Sequence, residues 1–197
     1  IGRVSANRSG QTMMLLAING VAALRSERAI KPLEAIVRSA SRSMSLRIAA
    51  AHALGQIGDP GTTRLASQLL ESSSDEVLTP ILVIELLSER EDSDSKELLS
   101  QLSRHAVSAI QSRALEQLIE VDSLLVDQQS PRLLTSNDVN VRRWALRAML
   151  ARQDSVRIEL ICRLLGDVNP TLRRDARDGL LLLAENPDLR ADVIREA

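Results

Sequence analysis

A short pattern recurs along this chain at a nearly constant spacing, and that spacing constrains the fold more than any other feature. Its clearest copy is Leu46-Arg47-Ile48-Ala49-Ala50-Ala51-His52-Ala53-Leu54-Gly55-Gln56-Ile57-Gly58-Asp59-Pro60. Val141-Arg142-Arg143-Trp144-Ala145-Leu146-Arg147-Ala148-Met149-Leu150 and Leu172-Arg173-Arg174-Asp175-Ala176-Arg177-Asp178-Gly179-Leu180-Leu181 follow the same plan. Weaker copies start at Ile110 and Met13, and a degenerate one at Val77. The anchors 13, 46, 77, 110, 141 and 172 are separated by 33, 31, 33, 31 and 31 residues.

Each column of the pattern has a physical role. Four residues after the anchor stand Ala17, Ala50, Ile81, Ala114, Ala145 and Ala176, and seven after it Gly20, Ala53, Ile84, Gln117, Ala148 and Gly179. Positions three apart share a helical face, and small side chains there let two helices approach closely. Eight after the anchor stand Val21, Leu54, Glu85, Leu118, Met149 and Leu180, mostly large and apolar. The anchor and these columns form the buried stripe of a first helix. Column six (Asn19, His52, Val83, Glu116, Arg147, Asp178) is mostly polar and is expected to face solvent.

A second apolar-periodic stretch follows in most repeats, over 29–39, 61–71, 95–105, 156–165 and 187–196. In the fourth repeat the second helix is doubtful, because Leu124-Leu125-Val126 comes early and Ser130-Pro131 interrupts before Leu133-Leu134. Asp59-Pro60, Thr79-Pro80, Ser130-Pro131, Asn169-Pro170 and Asn186-Pro187 each join a capping residue to a proline, which marks helix starts. Pro32 fits a first turn, and Asp75, Asp138 and Asp154 precede other expected starts. The Ser-rich stretches 39–45, 72–74 and 88–95 read as loops. One hairpin cannot bury both sides of its apolar face, so stacked neighbours share one core and the end repeats turn a polar side outward. The charged stretch Asn186–Ala197 suits such an end. The expected architecture is all-α: a right-handed α-solenoid of about six helical hairpins, forming one domain over residues 1–197.

Composition agrees. The 197 residues include no Phe, no Tyr and one Trp, so the core must be built from Leu, Ile, Val, Ala and Met. A sandwich or barrel would show aromatic and β-branched residues in short alternating runs. A net charge of −1 argues against a dedicated nucleic-acid or anionic-membrane binder. No apolar run reaches the ~18–20 residues of a membrane span and no signal-peptide pattern is visible. Cys162, the single cysteine, cannot form an intrachain disulfide and reads as a small core residue. A cytoplasmic protein, or a soluble domain of a larger one, is expected.

Leu46-Arg47, Ala50, Ala53-Leu54-Gly55, Ile57-Gly58 and Asp59-Pro60 resemble the short bacterial HEAT-like repeats of phycobilin lyase-type proteins. Val141-Arg142 with Ala145 and Ala148, and Leu172-Arg173 with Ala176, echo them. The resemblance implies first helices on the convex side and second helices on the concave side. It also implies that Arg47, Arg142 and Arg173 bond acidic or carbonyl groups of a neighbouring repeat. Members serve as scaffolds, pigment-attachment factors and regulators, so the pattern specifies fold rather than function.

No catalytic or cofactor-binding constellation is present. GxSxG, GxGxxG and P-loop motifs are missing, and neither His52 nor His105 has partners at metal-ligand spacing. The expected role is a non-catalytic scaffold or adaptor that binds another protein or peptide, with no cofactor, metal, nucleic acid or membrane insertion. Two surfaces are candidates. Trp144 stands at the edge of the buried stripe with Arg143 and Arg147 beside it, and Trp and Arg dominate protein–protein hot spots. The second helices offer a polar groove carrying Arg38, Arg64, Gln68, Gln101, Arg104 and Arg163. The alternatives are a chromophore lyase-like accessory factor and a nucleic-acid binder resembling HEAT-like glycosylases.

Overall fold

A computed structural model describes residues 2–72 and 78–197. Every regular element among them is helical. In chain order they are α1 (Gly2–Ala23), α2 (Ile30–Arg38), α3 (Met44–Ile57), α4 (Gly61–Ser72), α5 (Leu78–Leu86), α6 (Ser93–Leu102), α7 (Ser108–Val121), α8 (Ser123–Leu133), α9 (Val139–Arg152), α10 (Ile158–Arg163), α11 (Pro170–Glu185) and α12 (Pro187–Glu196). Single 3₁₀ turns, Glu27–Ala29 and Ser155–Arg157, lead into α2 and α10. Odd-numbered helices are the first helices of successive repeats and even-numbered ones the second. No described helix is long and apolar enough to cross a membrane.

The helices gather into two compact units, Ile1–Gln117 and Leu118–Ala197. In the first, α3 packs against α1, α2 and α5, while α5 also packs against α4 and α6. In the second, α8 packs on α9, and α11 on α9, α10 and α12. Leu146, Met149, Ile158, Ile161, Leu172, Ala176 and Leu180 form the core of the second unit, with Cys162 half-buried against it.

The buried stripes match the expected columns in α3 (Leu46, Ala50, Ala53, Leu54), α9 (Val141, Ala145, Ala148, Met149) and α11 (Leu172, Ala176, Gly179, Leu180). In α1 the register differs. The helix begins at Gly2, well before Met13, and Met13 is 70% exposed while Ile18 and Ala22 are buried. Its stripe therefore starts one residue later, at Met14. In the third repeat Val77 lies outside the described residues, as do Asp75 and residues 73–74, and burial of Leu82, Glu85 and Leu86 places the start at Leu78. Starts at 14, 46, 78, 110, 141 and 172 differ by 32, 32, 32, 31 and 31, more regular than the sequence columns suggest. α5 lacks the expected solvent face. Val83 is buried, because α3, α4 and α6 enclose this apolar segment.

The fourth repeat has a complete second helix after all. The Asp122 side chain caps α8 by accepting from Leu125 N at 3.3 Å. Pro131 sits in the last turn of α8 and does not start a helix. There the lost N–H removes only one bond, to the carbonyl of Asp127. Asn169 and Asn186 do cap helices that open on Pro170 and Pro187. Asp138 and Asp154 are also caps, accepting from Asn140 N and Val156 N. The last repeat is less polar than expected: Leu181, Leu182 and Ile194 are 62%, 62% and 73% exposed.

At Gly55 the first helices α3 and α5 approach closely. A Cβ there would lie 2.6 Å from Ser88 Oγ, 2.9 Å from the Glu85 carbonyl oxygen and 3.1 Å from that of Leu86. Two of these are backbone atoms that move only if α3 and α5 separate. Just past the ends of α1, α3, α5 and α9 the chain turns through left-handed residues: Arg25, Gly58, Glu89 and Gln153. Only Gly58 takes that conformation without a Cβ penalty.

Two outcomes follow. Gly55→Ala is expected to destabilise the first unit by about 1–3 kcal/mol through overpacking. Gln153→Gly, at φ 49°, is expected to stabilise the second unit by about 0.5–1 kcal/mol. Urea unfolding of each variant against the parent measures both.

Candidate functional site

The second helices of the first unit bury one side and expose a polar stripe. α2 buries Leu33 and Val37, α4 buries Leu65, Ala66 and Leu69, and α6 buries Ser95, Leu99 and Leu102. The 3.6-residue period then carries Arg38, Arg64, Gln68 and Gln101 outward, and all four are exposed. Arg38 Nη2 donates to Gln68 Oε1 at 2.6 Å, linking consecutive second helices. Arg104 is exposed in the turn after α6. Neither Arg64 nor Arg104 has a carboxylate partner among the described residues. Glu71, Asp94 and Glu97 are exposed on the same helices, so the stripe carries both signs. Arg163 belongs to the second unit, where Nη2 pairs with Glu159 Oε1 at 2.6 Å on its own helix, α10.

Trp144 is half-buried on α9, as its column at the stripe edge implies. The Arg147 guanidinium carbon lies 4.9 Å from the ring centroid, a cation–π contact. Arg147 also approaches Glu120 at 3.9 Å. Arg143 donates to Asn140 Oδ1 at 3.0 Å and lies 3.6 Å from Asp175. The indole is thus held among paired charges of its own unit.

The arginines that follow the anchor, Arg47, Arg142 and Arg173, bond within the fold. Arg47 Nε donates to the Val37 carbonyl at 2.9 Å, and Arg173 Nη1 to that of Asp167 at 2.7 Å. Arg142, buried, donates to both oxygens of Asp167 at 2.7 and 2.8 Å and to the Ser136 carbonyl. Its guanidinium holds the Asp167 carboxyl below the usual carboxylate range. Asp127 is fully buried and accepts from Arg157 at 2.9 and 3.0 Å, with Arg152 3.6 Å away.

One polar cluster joins three successive first helices. Glu85 of α5 is buried; His52 Nδ1 of α3 lies 3.2 Å from its Oε2, without a well-aligned hydrogen bond, and Arg113 Nη2 of α7 lies 2.9 Å from its Oε1. Arg113 also pairs with Glu116. Contact with Glu85 raises the His52 pKa above its ordinary 6.5, outweighing burial. Burial pushes Glu85 up, but its contacts with His52 and Arg113 bring it below its ordinary value. The sequence carried a trace of this cluster, since Glu85 is the one charged residue in an otherwise apolar column. Its partners, 33 residues before and 28 after, left no local signal. Burial of Asp127 had no such trace. Among the described residues, no group of three or more His, Cys, Asp or Glu could hold a metal ion. Burial raises the Cys162 thiol pKa, which makes it a poorer nucleophile.

The buried pairs predict two measurements. Removing Asp127 strands the Arg157 guanidinium, so Asp127→Ala is expected to cost about 3 kcal/mol in a denaturant titration. For His52 the folded state holds the proton more tightly than the unfolded state. Its contribution is therefore complete below the unfolded pKa and lost as pH rises through the higher folded value. The stability gap between the parent and His52→Gln should be widest well below pH 6.5 and shrink as pH rises through the folded-state pKa above it. A gap that stays constant or widens would contradict the assigned pair.

A family model described as HEAT repeats matches residues 11–82, which span the last part of α1 through the middle of α5. No curated protein matches the chain. Helices packed in consecutive pairs and a matched segment of that kind together make this an all-α helical-repeat protein that carries HEAT repeats over residues 11–82.

Proposed function

We propose that the chain is a non-catalytic scaffold that holds a peptide or an extended segment of another protein across the second helices of its first unit. HEAT repeats generally mediate protein binding. The supporting observation is how the arginines are used. Arg47, Arg113, Arg142 and Arg157 bond to neighbours within the fold. Arg64 and Arg104 do not, although each stands on the outward side of its repeat. Their guanidinium groups keep donors free for a partner carboxylate or carbonyl. Gln68 and Gln101 stand beside them and can bond to a peptide backbone. Exposed acids on the same stripe favour a partner carrying both signs. Trp144 is the weaker anchor, because Arg147 covers its ring and Arg143 is paired.

Affinity capture with the parent chain, followed by titration of the captured protein's purified binding segment, tests this reading. Arg64→Glu/Arg104→Glu is expected to weaken binding at least about tenfold, with Trp144→Ala near the parent value. Loss with Trp144→Ala alone would move the interface to the first helices of the second unit.

A further inference from the structure

Exposed positions on the second helices of the first unit recur every 33 residues. One row is Lys31, Arg64 and Glu97, on α2, α4 and α6; the next, one helical turn on, is Ala35, Gln68 and Gln101. The helices carrying them are neighbours. Arg38 at the end of α2 bonds Gln68 of α4 at 2.6 Å, and Thr63 near the start of α4 is hydrogen-bonded to Ser95 near the start of α6 at 2.9 Å. Charge is sorted along the first row. Arg28 just before α2, Lys31 and Arg64 make the starts of α2 and α4 basic, with Glu27 exposed and Glu34 half-buried among them. Asp94 and Glu97 make the start of α6 acidic, with Glu91 exposed just before it and Lys96 half-buried between them.

Helix stability does not account for the basic end. The start of a helix carries partial positive charge and favours acids, so Lys31 and Arg64 in first turns oppose the helix dipole. Neither first turn holds an acid. Arg28, Lys31 and Arg64 form no ion pair among the described residues. Spacing then limits what can meet this row. Packed helices stand about 8–10 Å apart. A chain in the polyproline II conformation rises about 3.1 Å per residue and turns the same face outward every three residues, about 9.3 Å. Its side chains at every third position fall over consecutive second helices, whereas those of a β-strand three residues apart point to opposite sides.

Building on the peptide-binding role given above, we propose that the bound segment is polyproline II-like and carries a charge at every third residue: two acids, over Lys31 and Arg64, then a base over Glu97. Its backbone groups have no internal hydrogen bonds, so Gln68 and Gln101 in the adjacent row can bond them. The order acid, acid, base fixes which end of the segment lies over α2.

Fluorescence anisotropy with labelled synthetic peptides tests this at about 20 mM salt, where exposed charges are weakly screened. One pair carries Glu, Glu and Lys at every third position, in each chain direction, with Pro and Ala between. A control has the same composition with Lys in the middle, and another has Glu at all three positions. The parent should bind the better acid–acid–base peptide at least about tenfold more tightly than the acid–base–acid control. It should also prefer that peptide to the all-acid one, and Glu97→Lys should reverse this second preference. Lys31→Glu should weaken the acid–acid–base peptide at least about fivefold. Both positions are exposed, and an unchanged far-UV spectrum shows that each variant has folded. Equal affinity for the two charge orders overturns the proposal. So does a lack of binding at about 1 mM peptide, or a Glu97→Lys chain that keeps the parent's preference. If Arg64→Glu/Arg104→Glu still releases the captured segment in that event, the second helices remain the binding surface and only the charge order falls. If that double variant binds the captured segment as the parent does, the surface itself is lost and the charge order with it.

Discussion

First helices in this protein touch through small residues, and the rest of each core is arranged around how closely they approach. Ala50, Ala53, Ala145, Ala148 and Ala176 are fully or almost fully buried on that seam, and Gly55 and Gly179 leave no room for a methyl group. A core this thin at its seam needs no aromatic ring. Leucine, isoleucine and valine fill the space between first and second helices, where Leu65, Leu99, Leu133 and Ile161 are buried. Packing at interior density leaves little tolerance for a change in seam volume in either direction. Composition and period therefore express one constraint. The period sets how far apart equivalent seam residues stand, and the composition sets how closely the helices carrying them can meet.

Close approach also explains why buried charges recur between repeats. Glu85 and Asp127 accept from arginines 28 and 30 residues further along the chain, and Asp167 from Arg142, 25 residues before it, all within one repeat length. Desolvating such groups is costly, and their net contribution to stability is smaller than their short distances suggest. Their consequence is geometric. A bidentate arginine–carboxylate pair is directional, so it admits one register between neighbouring repeats where an apolar seam would allow sliding. The spacing of 31 or 32 residues between stripe starts is the regularity such pairs would maintain.

The repeat was legible because it rests on periodicity, which every copy carries. The small columns of α3, α9 and α11 lie where the pattern put them. Its failures have local causes. α1 carries two adjacent methionines, so the pattern could be laid on Met13 or Met14, and only packing in the fold, where Ile18 and Ala22 are buried and α3 lies against α1, selects Met14. Thr79-Pro80 and Ser130-Pro131 look alike in sequence, yet one lies in the first turn of its helix and the other in the last. Proline is compatible with either place, since at neither does it break the middle of the helix. The candidate stripe was legible as helix spacing: Arg38, Arg64, Gln68 and Gln101 are exposed because the residues between them are buried. Which arginines remain available was not legible. That depends on carboxylates one repeat away, and no local pattern records whether a side chain will reach them.

Free and committed arginines also mark where this fold can meet other molecules. Polar contact needs donors that the fold has left unused. In the first unit Arg64 on α4 and Arg104 just past α6 supply them, as do Arg28, Lys31 and Arg42 in and around α2. Arg142 and Arg157 hold neighbouring segments in register, so a partner that took either would have to break a contact of the fold. A partner that took Arg64 or Arg104 would break none.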